Sequence, residues 1–116
     1  METRFAQRLL LLHETCSRIA RLVDRGRRAF NTDEALFDAC QLGIVRLNSD
    51  LERLGPDWLH AHPQLPRTEV RGLRNRIGHD YHSVDPEVLW RVVSVCVPEL
   101  HQSLREEITA AKTSLA

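Results

Sequence analysis

Between Arg71 and His82 the chain reads R-G-L-R-N-R-I-G-H-D-Y-H, and arginine and histidine crowd there as nowhere else. Four of the six histidines (His60, His62, His79, His82) fall between positions 60 and 82, beside Arg67, Arg71, Arg74 and Arg76. Among these, Arg74, Asn75, His79 and Tyr81 form a set that can do chemistry. An imidazole titrates near neutrality and can take or give a proton. A guanidinium holds a phosphate and stabilises the charge of a phosphorane. Asn75 and His79 stand one helical turn apart, so the amide can orient the ring through one hydrogen bond. That set suffices for metal-independent RNA cleavage. The ribose 2′-hydroxyl attacks its own phosphate, His79 handles the proton and Arg74 stabilises the charge. DNA lacks that hydroxyl and is spared.

One histidine does not supply both acid and base at a single site. Arg74 and His79 also lie about 140° apart on an ideal wheel of 3.6 residues per turn. Both difficulties ease if two copies of the helix that carries them face each other across a twofold axis. An enzyme built on this segment is therefore expected to be a homodimer.

The elements that must position these residues read as helices throughout, with no strand-like alternation. Phe5, Leu9, Leu12, Cys16, Ile19 and Val23 recur at steps of three and four and predict a first helix over 3–25. Leu11 and Leu22 lie off that stripe and widen the apolar face. Arg25-Gly26-Arg27-Arg28 ends the helix. Asn31, with Glu34 three residues on, predicts a capped start for a second helix over about 32–54. Its stripe is Leu36, Cys40, Ile44, Leu47, Leu51 and Leu54, and Gly43 on the same side lets a neighbouring helix come close. Gly55-Pro56 stops it. Residues 55–67 hold three of the five prolines and read as irregular. Pro66 is expected in the first turn of a third helix over about 67–80. Val70, Leu73, Ile77 and Tyr81 form its buried stripe, with Arg71, Asn75 and His79 on a polar flank and Arg74 at the border. Gly78 weakens the last turn. Asp85-Pro86-Glu87 starts a fourth helix, with Val88, Val92, Val95 and Cys96 inside. At Pro98 it either kinks or gives way to a fifth helix, whose stripe is Leu100, Leu104, Ile108, Ala111 and Leu115. The expectation is one all-α domain over 1–116, an antiparallel bundle of four to five helices.

Composition narrows the function classes. The formal net charge is zero, so contact with RNA rests on a local patch rather than on the whole molecule. All basic residues except Lys112 are arginines, which suits bidentate phosphate recognition. Cys16, Cys40 and Cys96 make an odd count without a CxxC pair, pointing to a reducing, cytoplasmic setting. The N-terminal stretch becomes amphipathic at once and lacks the layout of a secretory signal. No apolar run is long enough for a membrane span.

The segment LRNRIGHDYHSVDPEVLW, Leu73 to Trp90, resembles the HEPN superfamily, specifically its HepT branch. The likeness runs along nearly the whole chain: a long first helix, a second ending near Gly55, a Pro-x-x-Pro approach from Pro63 to Pro66, the R-N-x-x-x-H-x-Y motif, then V-D-x-x-x-x-W. It implies a small, homodimeric, metal-independent ribonuclease toxin whose active residues are Arg74 and His79, with Asn75 at the motif's polar position. It also implies a cognate antitoxin, a minimal nucleotidyltransferase of the MntA type that adds AMP groups to the motif tyrosine, here Tyr81. Such a bulky anion beside the cleft excludes RNA phosphate by sterics and repulsion. Transfer RNA is the family-level substrate, and neither cofactor nor metal is implied. Asp80, beside His79, stands where family members often carry a small residue, which bears on catalytic vigour more than on fold.

Plainer roles compete with each of these. Arg74 can be an ion-pair partner at the core edge, His79 a helix-end residue answering the dipole, and Tyr81 a packing residue. Arg67, Arg71 and Arg74 are either a phosphate track or a solvated face; a dimer doubles the patch and favours the track, with Arg71 and Arg76 as further candidates for RNA contact. His60-x-His62 and His79-x-x-His82 lack a cysteine or acid in register for zinc, and the cysteines are expected as reduced core residues. The competing function is a non-catalytic HEPN-like helical module that binds a nucleotidyltransferase or a nucleotide without cleavage.

Overall fold

The computed structural model describes residues 1–116. Helix α1 (Thr3–Val23) begins where the Glu2 carboxylate accepts from the backbone amides of Arg4 and Phe5, each at 3.0 Å. This satisfies two of the four amides a helix start leaves unpaired. Leu9, Leu12, Cys16 and Ile19 are buried as their spacing predicts, with Ala6 beside them.

The second helix departs from the expectation. Gly26, at φ +90°, opens a separate short helix α2 (Gly26–Thr32). Asp33, not Asn31, caps α3 (Glu34–Glu52), its Oδ1 accepting from the amides of Ala35 and Leu36 at 3.0 and 3.4 Å. The Asn31 side chain instead accepts from Arg27 Nε at 2.9 Å. The physical reason for the extra helix is Phe30. It is buried against Phe37 and Trp90, with ring centroids 5.4 and 5.0 Å away, so residues 26–32 fold onto the core rather than lead straight into α3.

All six stripe residues of α3 are buried, Leu54 just past its end among them. Arg8 donates to the Arg53 carbonyl (3.1 Å), Thr15 donates to Asp50 (2.6 Å), and Ile19 lies against Gly43. As one number rises the other falls, so α1 and α3 run antiparallel. A Cβ on Gly43 would stand 2.9 Å from Ile19 Cγ1, so the glycine sets the distance between the two helices.

Gly55 stops α3 at φ +95°. The segment expected to be irregular contains helix α4 (Pro56–Ala61), which buries Leu59 and sets Trp58 against Phe5. Helix α5 (Thr68–His79) starts two residues after Pro66, which therefore lies outside it, and buries Val70, Leu73 and Ile77. A 3₁₀ turn (Tyr81–Ser83) leads to α6 (Pro86–Arg91), capped by Asp85, whose Oδ1 accepts from the Glu87 amide at 2.9 Å. Arg27 pairs with Glu87, and its guanidinium lies 5.6 Å from the Trp90 ring centre, tying α2 to α6.

Pro98 leaves the helical run from 86 to 103 unbroken and stands in the first turn of its last part. A π-helical turn (Val92–Cys96) joins α6 to α7 (Val97–Ser103). The wider turn lies just where the proline ring would collide with the carbonyl four residues back. Val95, expected inside, is 46% exposed. Residues 92–97 are almost continuously apolar, so periodicity could not choose a side there. A single residue, Leu104, separates α7 from α8 (Arg105–Leu115). Leu104, Ile108 and Ala111 are buried, while Leu115, expected on that stripe, is exposed. Ser114 donates to the Met1 carbonyl at 3.3 Å and brings the two ends of the chain together.

The result is an all-helical bundle with one contiguous core, as expected from the periodicity. All three cysteines are free and buried. Burial pushes the Cys16 thiol up to about 12 and the Cys40 thiol to about 11, so they are inert core residues. No helix is long and apolar enough to cross a membrane.

Candidate active site

The motif sits at the C-terminal end of α5. The helix reaches His79 intact and ends there, because Asp80 turns to extended geometry (φ −157°, ψ 92°). The Asp80 carboxylate accepts from the His82 amide at 3.1 Å, and its carbonyl accepts from the Ser83 amide and hydroxyl at 3.2 Å. Asp80 thus anchors the turn that follows, a role not read from the sequence.

That turn moves Tyr81 off the helix. Tyr81 was expected on the buried stripe; it is instead 62% exposed, its ring tilted over His82 at 4.2 Å between centroids. Ile77 is the last buried residue of α5, and the chain leaves the helix before the next stripe position is reached.

Arg74 lies at the core border, half-buried. Its guanidinium runs along the helix over Gly78 and occupies the space a side chain at position 78 would take. A Cβ there would stand 2.5 Å from Arg74 Nη1. Gly78, which the sequence presented as a weak point, is therefore the slot for the arginine. The ion pairs of the chain join Arg25 to Asp33 and Arg27 to Glu87; Arg74 takes part in neither, so the ion-pair role considered for it is not realised.

Asn75, Arg76 and His79 line one shallow cleft of about 400 Å³, together with Leu73, Asp80, Ser83, Val84, Asp85 and Val88. His79 is exposed, and no hydrogen bond joins it to Asn75. Both acids in the lining, Asp80 and Asp85, turn a carboxylate oxygen to a backbone amide. Arg74 and Arg71 do not line this cleft. One protomer thus brings Asn75 and His79 together and leaves Arg74 around the helix from them, in keeping with the wheel angle. Arg71 and Arg76 are both exposed.

The remaining histidines of the window stand apart. His62 stacks on Trp58 at 3.9 Å and donates Nδ1–H to the Trp58 carbonyl at 2.7 Å. No three His, Cys, Asp or Glu side chains converge anywhere in a way that would hold a metal.

A family model described as Ribonuclease HepT-like matches residues 12–107 of the chain, from the middle of α1 to the first turn of α8, with the whole motif inside. The chain belongs to the HepT-like ribonuclease family. A HepT-like relative from Thermococcus cleftensis, named "Probable ribonuclease HepT", is 36% identical over 84 residues, which covers 68% of this chain and 76% of the relative. A further relative, from Caldanaerobacter subterraneus subsp. tengcongensis and named "Putative RNase", is 23% identical over 83 residues, covering 72% of this chain and 74% of that relative. No solved structure matches the chain. The resemblance drawn from Leu73–Trp90 and its flanks thus leads to the family that the whole-chain comparison gives.

Proposed function

We propose that this chain is a metal-independent endoribonuclease toxin that works as a homodimer with the Arg74-x4-His79 segments of two copies lining one cleft. The observation that carries the reading is the placement of Arg74. A guanidinium without an ion-pair partner rests in the slot left by Gly78, one residue from an exposed imidazole. Around a phosphodiester these are the two groups that charge stabilisation and proton transfer require. One imidazole accepts the 2′-hydroxyl proton as that oxygen bonds to phosphorus. The bond to the 5′-oxygen breaks, and the second copy's imidazole supplies the proton to that leaving group. Arg74 of each copy carries the phosphorane charge, Asn75 lines the cleft beside the ring, and Arg71 and Arg76 hold the flanking RNA backbone. Transfer RNA is the substrate class that the family suggests.

Regulation follows from the same turn. An MntA-type nucleotidyltransferase antitoxin adds AMP to the exposed Tyr81 hydroxyl. The added bulk and negative charge, two residues beyond His79, then exclude RNA phosphate from the cleft by sterics and repulsion.

The test is incubation of the purified chain with RNA in EDTA, beside His79→Ala. Cleavage that survives EDTA, leaves cyclic phosphate ends and disappears in the variant is the expected result. Equal background from both proteins overturns the enzyme and leaves a helical module that binds a nucleotidyltransferase or nucleotide.

A further inference from the structure

A second cleft, of about 490 Å³, lies between α1, the α6–α7 rod and α8, and shares no lining residue with the motif cleft. In its lining, His13 Nδ1 and His101 Nε2 stand 2.8 Å apart. Of two such nitrogens one must donate and the other accept. The neutral pair therefore holds a single proton between the rings, and both rings are half-buried. Arg105 and Lys112 of α8 join them in the lining, against one carboxylate, that of Asp24. Valines 23, 93 and 97 and Ile108 supply an apolar wall.

We propose that this cleft binds a small tetrahedral oxyanion ester, a phosphate or sulfate monoester on an apolar body, held by His13, His101, Arg105 and Lys112 with the body against the valine wall. Two half-buried imidazoles in contact with each other share the cleft with the exposed Arg105 and Lys112, an arrangement whose positive charge an incoming anion relieves. A metal is the poorer occupant. Two imidazoles have no third His, Cys, Asp or Glu side chain beside them, whereas transition-metal sites draw three or four ligands from the protein.

The charge surroundings fix the sign of the pH dependence. Burial first, then the Lys112 ammonium, lower the proton affinity of His13, with Glu14 opposing. Burial first, then His13 and Lys112, lower that of His101. Asp24 and Arg105 complete the charged lining; Cys16, also in it, stays a thiol. The empty cleft thus holds its imidazoles uncharged near neutrality. A bound anion favours their protonated forms, so binding tightens as pH falls. None of this depends on the ribonuclease reading.

The experiment follows the imidazole NMR signals of His13 and His101 in the full chain, with methyl sulfate and phenyl sulfate as probes. Both probes are monoanions whose charge is constant across the pH range used. Phenyl sulfate should shift both signals, raise their titration midpoints and bind about tenfold more tightly at pH 5.5 than at pH 8. Methyl sulfate should bind about tenfold more weakly, from the lost apolar contact. Lys112→Ala should cost about tenfold, the worth of one charged hydrogen bond, and His79→Ala should change nothing at these two signals. Absence of any shift at about 10 mM probe, beyond the range of a specific weak site, overturns the proposal. So does equal binding of the two probes, or loss of the effect in His79→Ala.

Discussion

Replacing Gly78 with alanine separates the stability of α5 from its chemistry. An added Cβ would stand 2.5 Å from Arg74 Nη1, 3.5 Å from Cζ and 4.0 Å from Nη2. Ordinary non-bonded contact begins near 3.5 Å, so the guanidinium must retreat by about 1 Å. The atom that gives way is the far end of a flexible, half-exposed side chain, so the backbone need not move. Alanine also has the higher helix propensity, by up to ~1 kcal/mol relative to glycine, less near a helix end. Gly78→Ala should therefore unfold at an equal or slightly higher urea concentration than the parent. Its cleavage should fall all the same, because displacement of a charge-stabilising group by about 1 Å can cost roughly 10²-fold in rate. The assay pairs urea unfolding, followed by far-UV circular dichroism, with RNA cleavage in EDTA on the same preparations. Parental cleavage by Gly78→Ala would refute the claim that the slot positions Arg74. A loss of stability beyond ~1 kcal/mol would show that the glycine serves packing instead.

Gly43→Ala should behave in the opposite way. Its Cβ would meet Ile19 Cγ1 at 2.9 Å and Cδ1 at 3.3 Å inside the α1–α3 contact, where Ile19 is only 1% exposed. Overpacking of ~1–3 kcal/mol outweighs the propensity gain, so the urea midpoint should drop; an unchanged midpoint would mean the helices part freely. The His13–His101 pair sets a pH dependence of stability. Folded-state affinities lie below the ordinary value of 6.5, so as pH falls through 6.5 the unfolded chain takes up protons first and stability is lost until the folded pair also titrates. Urea midpoints at pH 8 and pH 5.5 should differ less in His101→Gln than in the parent; an equal or larger difference would contradict the sign.

The all-helical class, the buried stripe of α3, most of the stripes of α1 and α5, the close approach at Gly43 and the Asp85-Pro86-Glu87 start were legible from residue spacing; the short helices α2 and α4 were not. Burial of an apolar stripe is a local property of a periodic sequence, and it survives whatever the helix packs against. The motif's residue types were legible for a similar reason: arginine, asparagine and histidine within one dozen residues announce their chemistry wherever they lie.

Three other features depended on contacts that spacing does not contain. Phe30 is drawn onto Phe37 and Trp90, and this makes residues 26–32 a helix of their own and hands the cap of α3 to Asp33. Asp80 binds the amide of His82, ends α5 and turns Tyr81 out to solvent, although the wheel had assigned it to the core. His13 and His101 come from opposite ends of the chain, and only the packing of α7 against α1 sets their nitrogens 2.8 Å apart. The sequence by itself determined which faces are apolar and which residue types stand in the motif, because both follow from order along a helix. Tertiary structure decided where each helix stops, which way Arg74 lies and which distant side chains meet, because those outcomes belong to pairs of residues that the chain brings together only by folding.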